Sequence, residues 1–345
     1  MDCILLPHDY LNYYLTGERS MEAGDASGTG FLDIREREWS PGMLKAIDPN
    51  RDLSECLPAL QLEPGITGRV RSEIAKRTGL PEGIPVSTGG GDNMMGAIGT
   101  GNVSQGKITM SLGTSGTVYA YSDQPIVDPR GEIAAFCSST GGWLPLMCTM
   151  NCTVTTELMR GMLGADIRQF ESAVSGAPRG AGGIITLPFF NGERTPNLPR
   201  AKACIVGLDS QNTNPENLLR SAMEGATFAL RYGVDRLGEL GVEATEILLT
   251  GGGVGSATWR QAVADICGAP VTVLKQNEGA SFGAALQALL VLEQGAEQDL
   301  PALAEHHLSR NEVLCCEPKN SSVNFYNEAY RDYQSAVGAI TPLYT

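Results

Sequence analysis

An aspartate that directly follows three glycines is the residue in this sequence most able to do chemistry. Asp92 follows the glycines at 89–91 and precedes Asn93. Because glycine has no Cβ, the three glycines let another molecule approach the backbone closely. A carboxylate there could accept a proton from a substrate hydroxyl, which phosphoryl transfer to an alcohol requires. Aspartate is also a preferred helix N-cap, so the pattern alone leaves a capping role as the alternative.

Two further glycine clusters could bind a ligand. Residues 113–116 (GTSG) could offer backbone N–H groups and two hydroxyls to a phosphate without a Walker lysine, with an ordinary hairpin turn as the alternative. Residues 251–256 (GGGVGS) do not fit the dinucleotide fingerprint, because Ser256 replaces its last glycine. Lys275, rather than an acidic residue, ends the strand that follows. We therefore discount an NAD-dependent enzyme.

The remaining candidate residues indicate structural roles. Glu193 and Arg194 form a Glu–Arg pair in a loop, FNGERTP, and by themselves favour a structural interpretation. His306 and His307 are neighbours and would point in different directions on a helix, so a solvated helix end is favoured over a metal site. The nine cysteines are scattered, with no C-x-x-C spacing, and predict neither a disulfide framework nor a zinc site.

Helices and strands alternate around these motifs. Apolar spacing predicts a helix over 69–78 that ends at Gly79, followed by a buried strand at 84–88 (IPVST) and a helix of small residues after Asp92. Residues 107–122 alternate on both sides of the GTSG turn and predict a hairpin.

The second half of the chain predicts a βαβ unit. A long amphipathic helix starting at Pro215 precedes a strand at 246–250, a glycine turn, a helix and a second strand at 270–275. The glycine turn falls where a strand's carboxyl end meets a helix N-terminus, a typical ligand position in α/β sheets. The last forty residues predict a polar loop and a peripheral helix. We expect an α/β protein with domains at 1–102 and 103–345.

Composition excludes several classes of partner. The 345 residues carry 25 basic and 39 acidic side chains, a net charge of −14, which would repel nucleic acid and anionic membranes. No apolar run reaches the eighteen or so residues of a bilayer span, and no signal-peptide pattern opens the chain. We expect a cytoplasmic protein in which backbone amides and a metal ion hold any phosphate-bearing ligand.

Taken in order, the motifs resemble those of the FGGY carbohydrate kinases. They run nearly from end to end of the chain: LPHDYLNYYLTGE, DASGTGFLDIREREWS, GGGDNMMGAIGTG, SLGTSG, LPFFNGERTP, GLDSQNTNPENLLRSAMEG, TGGGVGSATWRQAVADICG and EGASFGAA. No single motif is decisive, but the ordered set is highly specific. The resemblance implies two actin-like (RNase H-like) α/β domains that close over a cleft, the first binding sugar and the second nucleotide.

The resemblance also implies roles for particular residues. Asp92 matches the catalytic base and a candidate Mg²⁺ ligand, and Asn93 matches a residue close to the sugar. The residues that match ATP-binding segments are Gly113, Thr114 and Ser115, facing the phosphates, and Gly252, Gly253 and Ser256, lining the adenosine pocket. The implied reaction is phosphoryl transfer from ATP to a small sugar, most similar to the pentulose-phosphorylating members.

The sequence also departs from the family pattern. The opening strand and D-x-G-T turn of the family have no counterpart, so we expect an incomplete first domain with exposed strand edges and apolar faces. An acidic residue that helps to hold Mg²⁺ and part of the sugar pocket belong to that missing third. Lys202 and Ala203 replace arginine and glycine, and Asn151 and Cys152 stand where a small residue lines the nucleotide pocket.

Several alternatives remain open from the sequence. The substrate could be another ketopentose, gluconate or glycerol, and the chain could instead be a non-catalytic remnant that binds nucleotide or sugar. A chaperone-type actin-fold ATPase fits poorly. We expect a small-molecule sugar as the partner, no nucleic acid and no membrane, with a homodimer as one assembly state.

Overall fold

Short strands and helices, rather than one large sheet, make up the first hundred residues. The computed structural model describes residues 2–275, 279–293 and 299–344. The elements of this region are α1 Pro7–Thr16, β1 Ser20–Glu22, α2 Ala23–Ser27, β2 Leu32–Asp33, β3 Glu38–Trp39, α3 Pro41–Ile47, β4 Ala59–Gln61, β5 Ile66–Arg69, α4 Ser72–Thr78, β6 Pro85–Ser87 and α5 Asp92–Thr100. Among the described residues the strands pair only two by two, β1 with β4 in parallel and β2 with β3 and β5 with β6 antiparallel.

One prediction for this region is confirmed and one is wrong. The helix predicted from apolar spacing is α4, and Gly79 ends it in the left-handed conformation, with φ 81°. The strand predicted as buried is β6, but its residues are only half-buried. A strand is fully buried when both of its faces are covered, whereas β6 lies in a sheet of two strands.

The second part of the chain is built on one five-stranded sheet. Its elements are β7 Lys107–Leu112, β8 Gly116–Ala120, β9 Leu146–Thr149, α6 Thr153–Met162, α7 Ile167–Gly176, β10 Ile185–Leu187, β11 Cys204–Val206, α8 Pro215–Glu239, β12 Glu246–Thr250, α9 Ala257–Cys267, β13 Val271–Thr272, α10 Gly279–Leu292, α11 Leu300–His307 and α12 Asn320–Ile340. The strand order is β13-β12-β7-β8-β9. β12 runs parallel to β7 and β13, and β7, β8 and β9 are antiparallel. The predicted hairpin and βαβ unit are both confirmed.

Two helices show how the core is filled. α8 begins at Pro215, with the Asn214 side chain accepting the Asn217 backbone N–H, and buries most of its length. The C-terminal helix α12, predicted to be peripheral, packs on the core along one face and exposes most of its other residues. Its side chains at 326, 330 and 333 are buried tyrosines packed around Phe228. The spacing i, i+4, i+7 puts all three on one helical face.

A close helix crossing joins the two parts of the chain. α5 and α10 approach so closely that a Cβ at Gly99 would overlap the Gly279 carbonyl and one at Gly283 would lie 2.7 Å from the Gly99 nitrogen. Only glycine permits such an approach. The loop at 134–143 also crosses over, and the Trp143 indole donates to the Ile34 carbonyl at 2.7 Å. Residues after 102 thus complete the packing of residues before it.

Two further predictions concern single positions. His306 and His307 are exposed at the end of α11, as predicted. Glu278, in the EGASFGAA motif, lies outside the described residues. No helix in the part of the chain that the structure describes is long and apolar enough to span a bilayer.

Candidate active site

Asp92, the candidate catalytic base, lies in a cleft between α5, the five-stranded sheet and α10. The volume of this cleft is about 470 Å³. α5 contributes one wall, the strand ends on either side of the GTSG turn contribute the floor, and the turn after β12 closes one end. The polar and glycine residues of the lining include Asp92, Asn93, Gly96, Thr100, Ser111, Thr117, Tyr119, Thr250, Gly251, Gly252, Thr272 and Gly279.

Asp92 is an exposed carboxylate at the first position of α5. The N-cap of this helix is Gly91, and no side chain caps it, so the alternative of Asp92 as a helix cap is wrong. Because the glycine occupies the cap position, the Asp92 carboxylate is left outside the capping arrangement. Its Oδ1 accepts the backbone N–H of Asn93 at 2.8 Å and the Asn93 amide at 3.2 Å. The helix N-terminus favours a negative charge there.

The glycine turn before Asp92 is held tightly by its surroundings. Gly89 has φ 71°, a conformation that favours glycine. The Asn12 amide donates to the Thr88 carbonyl at 2.7 Å, which fixes the start of the turn. A Cβ at Gly90 would overlap the Ser139 hydroxyl, so no larger residue fits there. The three glycines therefore serve close packing as well as access to the cleft.

A cluster of buried and half-buried titratable groups lies beside this turn. His8 Nδ1 lies 2.7 Å from Asp25 Oδ2, and its Nε2 lies 3.1 Å from Asp9 Oδ1. Burial disfavours a charged imidazole, but the Asp25 hydrogen bond and the surrounding carboxylates raise the pKa of His8 overall. Burial raises the pKa of Asp9 to about 6 and that of Glu22 to about 7. A Cβ at Gly91 would lie 3.2 Å from Asp25 Oδ1, so the cluster supports the turn.

Sequence reasoning missed this cluster, although its residues stand in two of the quoted motifs. His8 and Asp9 belong to LPHDYL and Asp25 opens DASGTG. The available signal was a histidine directly before an aspartate in a helix that begins with proline. The pairing with Asp25 depends on how α1 and α2 pack, which spacing does not reveal.

The GTSG turn presents its central residues to solvent. Thr114 and Ser115 are exposed, and Gly113 is half-buried. The fourth residue differs, because the Gly116 backbone N–H donates to the Thr149 hydroxyl at 3.1 Å. Of the backbone N–H groups that residues 113–116 were expected to offer to a phosphate, that of Gly116 is therefore already paired within the protein. The hydroxyls and amides of the first three residues remain the candidates.

A buried glutamate, Glu193, hydrogen-bonds to the segment that directly follows β9. Glu193 accepts the backbone N–H groups of Met150 at 2.7 Å and Arg194 at 2.8 Å, and the Asn151 amide at 3.1 Å. Burial raises the pKa of this carboxyl despite these donors. Asn151 and Cys152 are fully buried and line neither the cleft that contains Asp92 nor the cavity beside Ser256. The structural interpretation of Glu193 is confirmed.

A second, more apolar cavity lies on the other side of the glycine turn after β12. Its volume is about 380 Å³, and its lining includes Gly252, Gly253, Gly255, Ser256, Ile167, Phe170 and Trp259. A Cβ at Gly252 or Gly255 would meet no atom within 4 Å, whereas one at Gly253 would lie 2.7 Å from the Leu112 side chain. The Ser256 hydroxyl accepts the Trp259 N–H at 3.0 Å and caps α9. Gly252 lines both cavities and so lies between them.

Comparison with known proteins identifies the class to which this fold and cleft belong. Residues 1–99 match the N-terminal domain, and residues 108–292 the C-terminal domain, of the FGGY family of carbohydrate kinases. The chain belongs to this family.

Two curated relatives and one solved structure are similar to this chain along most of its length. The chain is 47% identical over 330 residues to the xylulose kinase of Haemophilus influenzae, covering 96% of this chain and 66% of that protein. It is 36% identical to the xylulose kinase of Escherichia coli, covering 87% of this chain and 61% of that one. A crystal structure from Brucella ovis, described as a xyloylose kinase, superposes with a TM-score of 0.89 at 28% identity, over 99% of this chain and 69% of the other. The predicted actin-like fold is confirmed. The chain spans about two thirds or less of the length of these two curated relatives.

Proposed function

We propose that this chain carries out ATP-dependent phosphorylation of D-xylulose to D-xylulose 5-phosphate. One observation supports this most directly: Asp92 and Gly252 line the same cavity, and Gly252 also lines the apolar cavity beyond it. A nucleotide whose base occupies the apolar cavity would direct its phosphates past Gly252 toward Asp92. The relatives named xylulose kinase favour D-xylulose as the acceptor.

In this proposal the site residues have distinct tasks. Asp92 accepts the proton of the terminal sugar hydroxyl as that oxygen bonds to the γ-phosphorus and the bond to the β-phosphate oxygen breaks, releasing ADP. Asn93 fixes the carboxylate and contacts the sugar. Gly113, Thr114 and Ser115 face the phosphates, and Gly252, Gly253 and Ser256 line the adenosine site. Residues 1–102 then bind mainly sugar and residues 103–345 mainly nucleotide, with closure between them excluding water.

The residues present are compatible with Mg²⁺. Magnesium is usually bound by one or two carboxylates together with substrate phosphates, and the exposed Asp92 carboxylate offers one such ligand in the cleft. Within the described ranges, Asp92 belongs to no group of three candidate metal ligands, so nucleotide phosphates and water would complete the coordination. When bound, the ion would neutralise charge on the phosphates.

The proposed setting is the cytoplasm, where ATP and a free pentulose would meet the enzyme. We also propose a homodimer as its assembly state, to be tested by sedimentation of the purified chain. Neither assignment affects the residue roles.

Turnover with a panel of acceptors tests the proposed function. The purified chain is mixed with ATP and Mg²⁺, and ADP release is followed with D-xylulose, another ketopentose, gluconate and glycerol in turn. We expect ADP release that depends on D-xylulose, with Asp92→Asn as the matched control. Turnover with only another acceptor would reassign the substrate, and no turnover with any of them would favour the non-catalytic alternative.

A further inference from the structure

A fully buried glutamine on α10 binds the backbone of the glycine turn from the far end of the sequence. Gln287 is 0% exposed. Its Oε1 accepts the Gly89 backbone N–H at 2.8 Å, and its Nε2 donates to the Gly89 carbonyl at 3.0 Å. One side chain thus satisfies both hydrogen-bonding groups of a residue 198 positions away.

This pairing gives the backbone N–H and C=O groups of Gly89 their hydrogen-bond partners. Buried backbone N–H and C=O groups need partners, and an unpaired one costs roughly 1–3 kcal/mol. Gly89 has φ 71°, so its N–H and C=O groups do not point in the directions that they would have in an extension of β6. A glutamine amide carries a donor and an acceptor side by side and matches both groups at once.

The helix that carries Gln287 is itself fixed against α5. Gly283 lies one turn before Gln287, and a Cβ there would lie 2.7 Å from the Gly99 nitrogen. Residues i and i+4 lie on the same face of a helix, so the face of α10 that contacts α5 also reaches the turn. α10 therefore contacts both sides of Asp92 in the chain: the turn before it and the helix after it.

We propose that Gln287 is a positioning residue for the phosphoryl transfer, acting through Gly89 on the orientation of Asp92. This inference rests on the proposed function for its kinetic consequence, although the hydrogen bonds themselves do not. Gln287 touches neither cavity lining, so its effect on the reaction passes through the turn.

Two substitutions separate the hydrogen bonds from the packing. Gln287→Met keeps the length of the side chain and removes both hydrogen bonds. We expect kcat with the sugar to fall roughly 10- to 100-fold, because small misplacements of a reacting group have effects of this size. The KM for ATP should change less than about twofold, because the apolar cavity is built from α6, α7 and α9.

Gln287→Glu is the conservative variant. A protonated carboxyl can both donate and accept, as the amide does, whereas the ionised form can only accept. Burial raises a carboxyl pKa, so this variant should approach wild-type kcat at low pH and lose it as the pH rises. The wild-type enzyme should not show this additional loss. Leu286→Met is the matched control, since Leu286 is the neighbouring buried residue of α10 and takes no part in the two hydrogen bonds to Gly89.

Hydrogen exchange at the Gly89 amide provides a readout that does not need turnover. We expect peptides covering 86–95 to exchange faster in Gln287→Met than in wild type and Leu286→Met, with the hairpin at 107–120 unchanged. If the wild-type chain shows no turnover, the proposed function fails, and exchange alone decides the role of Gln287. Unchanged exchange at 86–95, or wild-type kcat in Gln287→Met, overturns the proposal. If that variant fails to fold, absence of the pH-dependent loss in Gln287→Glu overturns it instead.

Discussion

The Glu193 carboxylate accepts the Met150 backbone N–H at 2.7 Å, which ties the loop after β10 to the segment that follows β9. The residues that follow this segment in the chain hydrogen-bond to the GTSG turn. The Asn151 amide donates to Glu193, and the Thr153 N–H donates to the Gly113 carbonyl at 2.9 Å. Glu193 therefore fixes residues 150 and 151, and the residues that directly follow them hydrogen-bond to the proposed phosphate turn.

Replacing Glu193 by glutamine should weaken that support. The amide keeps one oxygen acceptor but places an NH₂ group against backbone and side-chain donors, leaving a buried donor unpaired at a cost of roughly 1–3 kcal/mol. We expect a lower midpoint of thermal unfolding and weaker ATP binding by calorimetry. Glu243→Gln, at an exposed position, is the control. Equal ATP affinity in both variants would contradict the link to the GTSG turn.

Asp92→Asn should abolish most turnover while sparing nucleotide binding. A positioned general base contributes about 10²–10⁴ in rate, and asparagine cannot take up the hydroxyl proton. It can still accept the Asn93 N–H, so the start of α5 should be retained. ADP release and ATP calorimetry on the same preparation measure the two effects. Wild-type turnover in Asp92→Asn would remove the proposed role.

Sequence reasoning succeeded where the relevant contacts are local. The hairpin at 107–120 and the βαβ unit around Gly252 depend on neighbouring residues, and their glycines and alternating apolar residues indicate them directly. Gln287 gave no such signal, because its partner is 198 residues away and its position in an apolar helix looks incidental. The burial of β6 was overestimated for the related reason that a strand's neighbours are set by tertiary pairing.

The wild-type protein should lose stability as the pH rises from 5 to 8, and Glu22 should account for part of the loss. Burial raises the pKa of Glu22 to about 7, so the folded protein binds this proton more tightly than the unfolded chain. The stabilisation is complete below the ordinary pKa and is lost as the pH passes through 7. A rise of the pKa from 4.5 to about 7 corresponds to about 3 kcal/mol in the free energy of unfolding.

Glu22→Gln tests this assignment because its side chain stays neutral throughout. We expect a shallower fall in the midpoint of thermal unfolding between pH 5 and 8 than in wild type. Some fall should persist, since Asp9 has a pKa raised to about 6 and acts with the same sign. Identical pH profiles for the two proteins would show that Glu22 does not titrate in this range.

Gly283→Ala should separate α5 from α10 and disturb the turn at the same time. A Cβ there would overlap the Met95 carbonyl oxygen, a backbone atom that cannot rotate away. We expect a loss of about 1–3 kcal/mol in the free energy of unfolding, measured by urea denaturation. Faster hydrogen exchange at Gly89 should accompany it, because Gln287 moves with α10.

Gly338→Ala on α12 is the matched control, since its Cβ would meet nothing within 4 Å, and it should gain up to about 1 kcal/mol from helix propensity. Equal stability of both alanine variants would mean that the two helices can part without cost, and the close crossing would then not be what fixes the turn before Asp92.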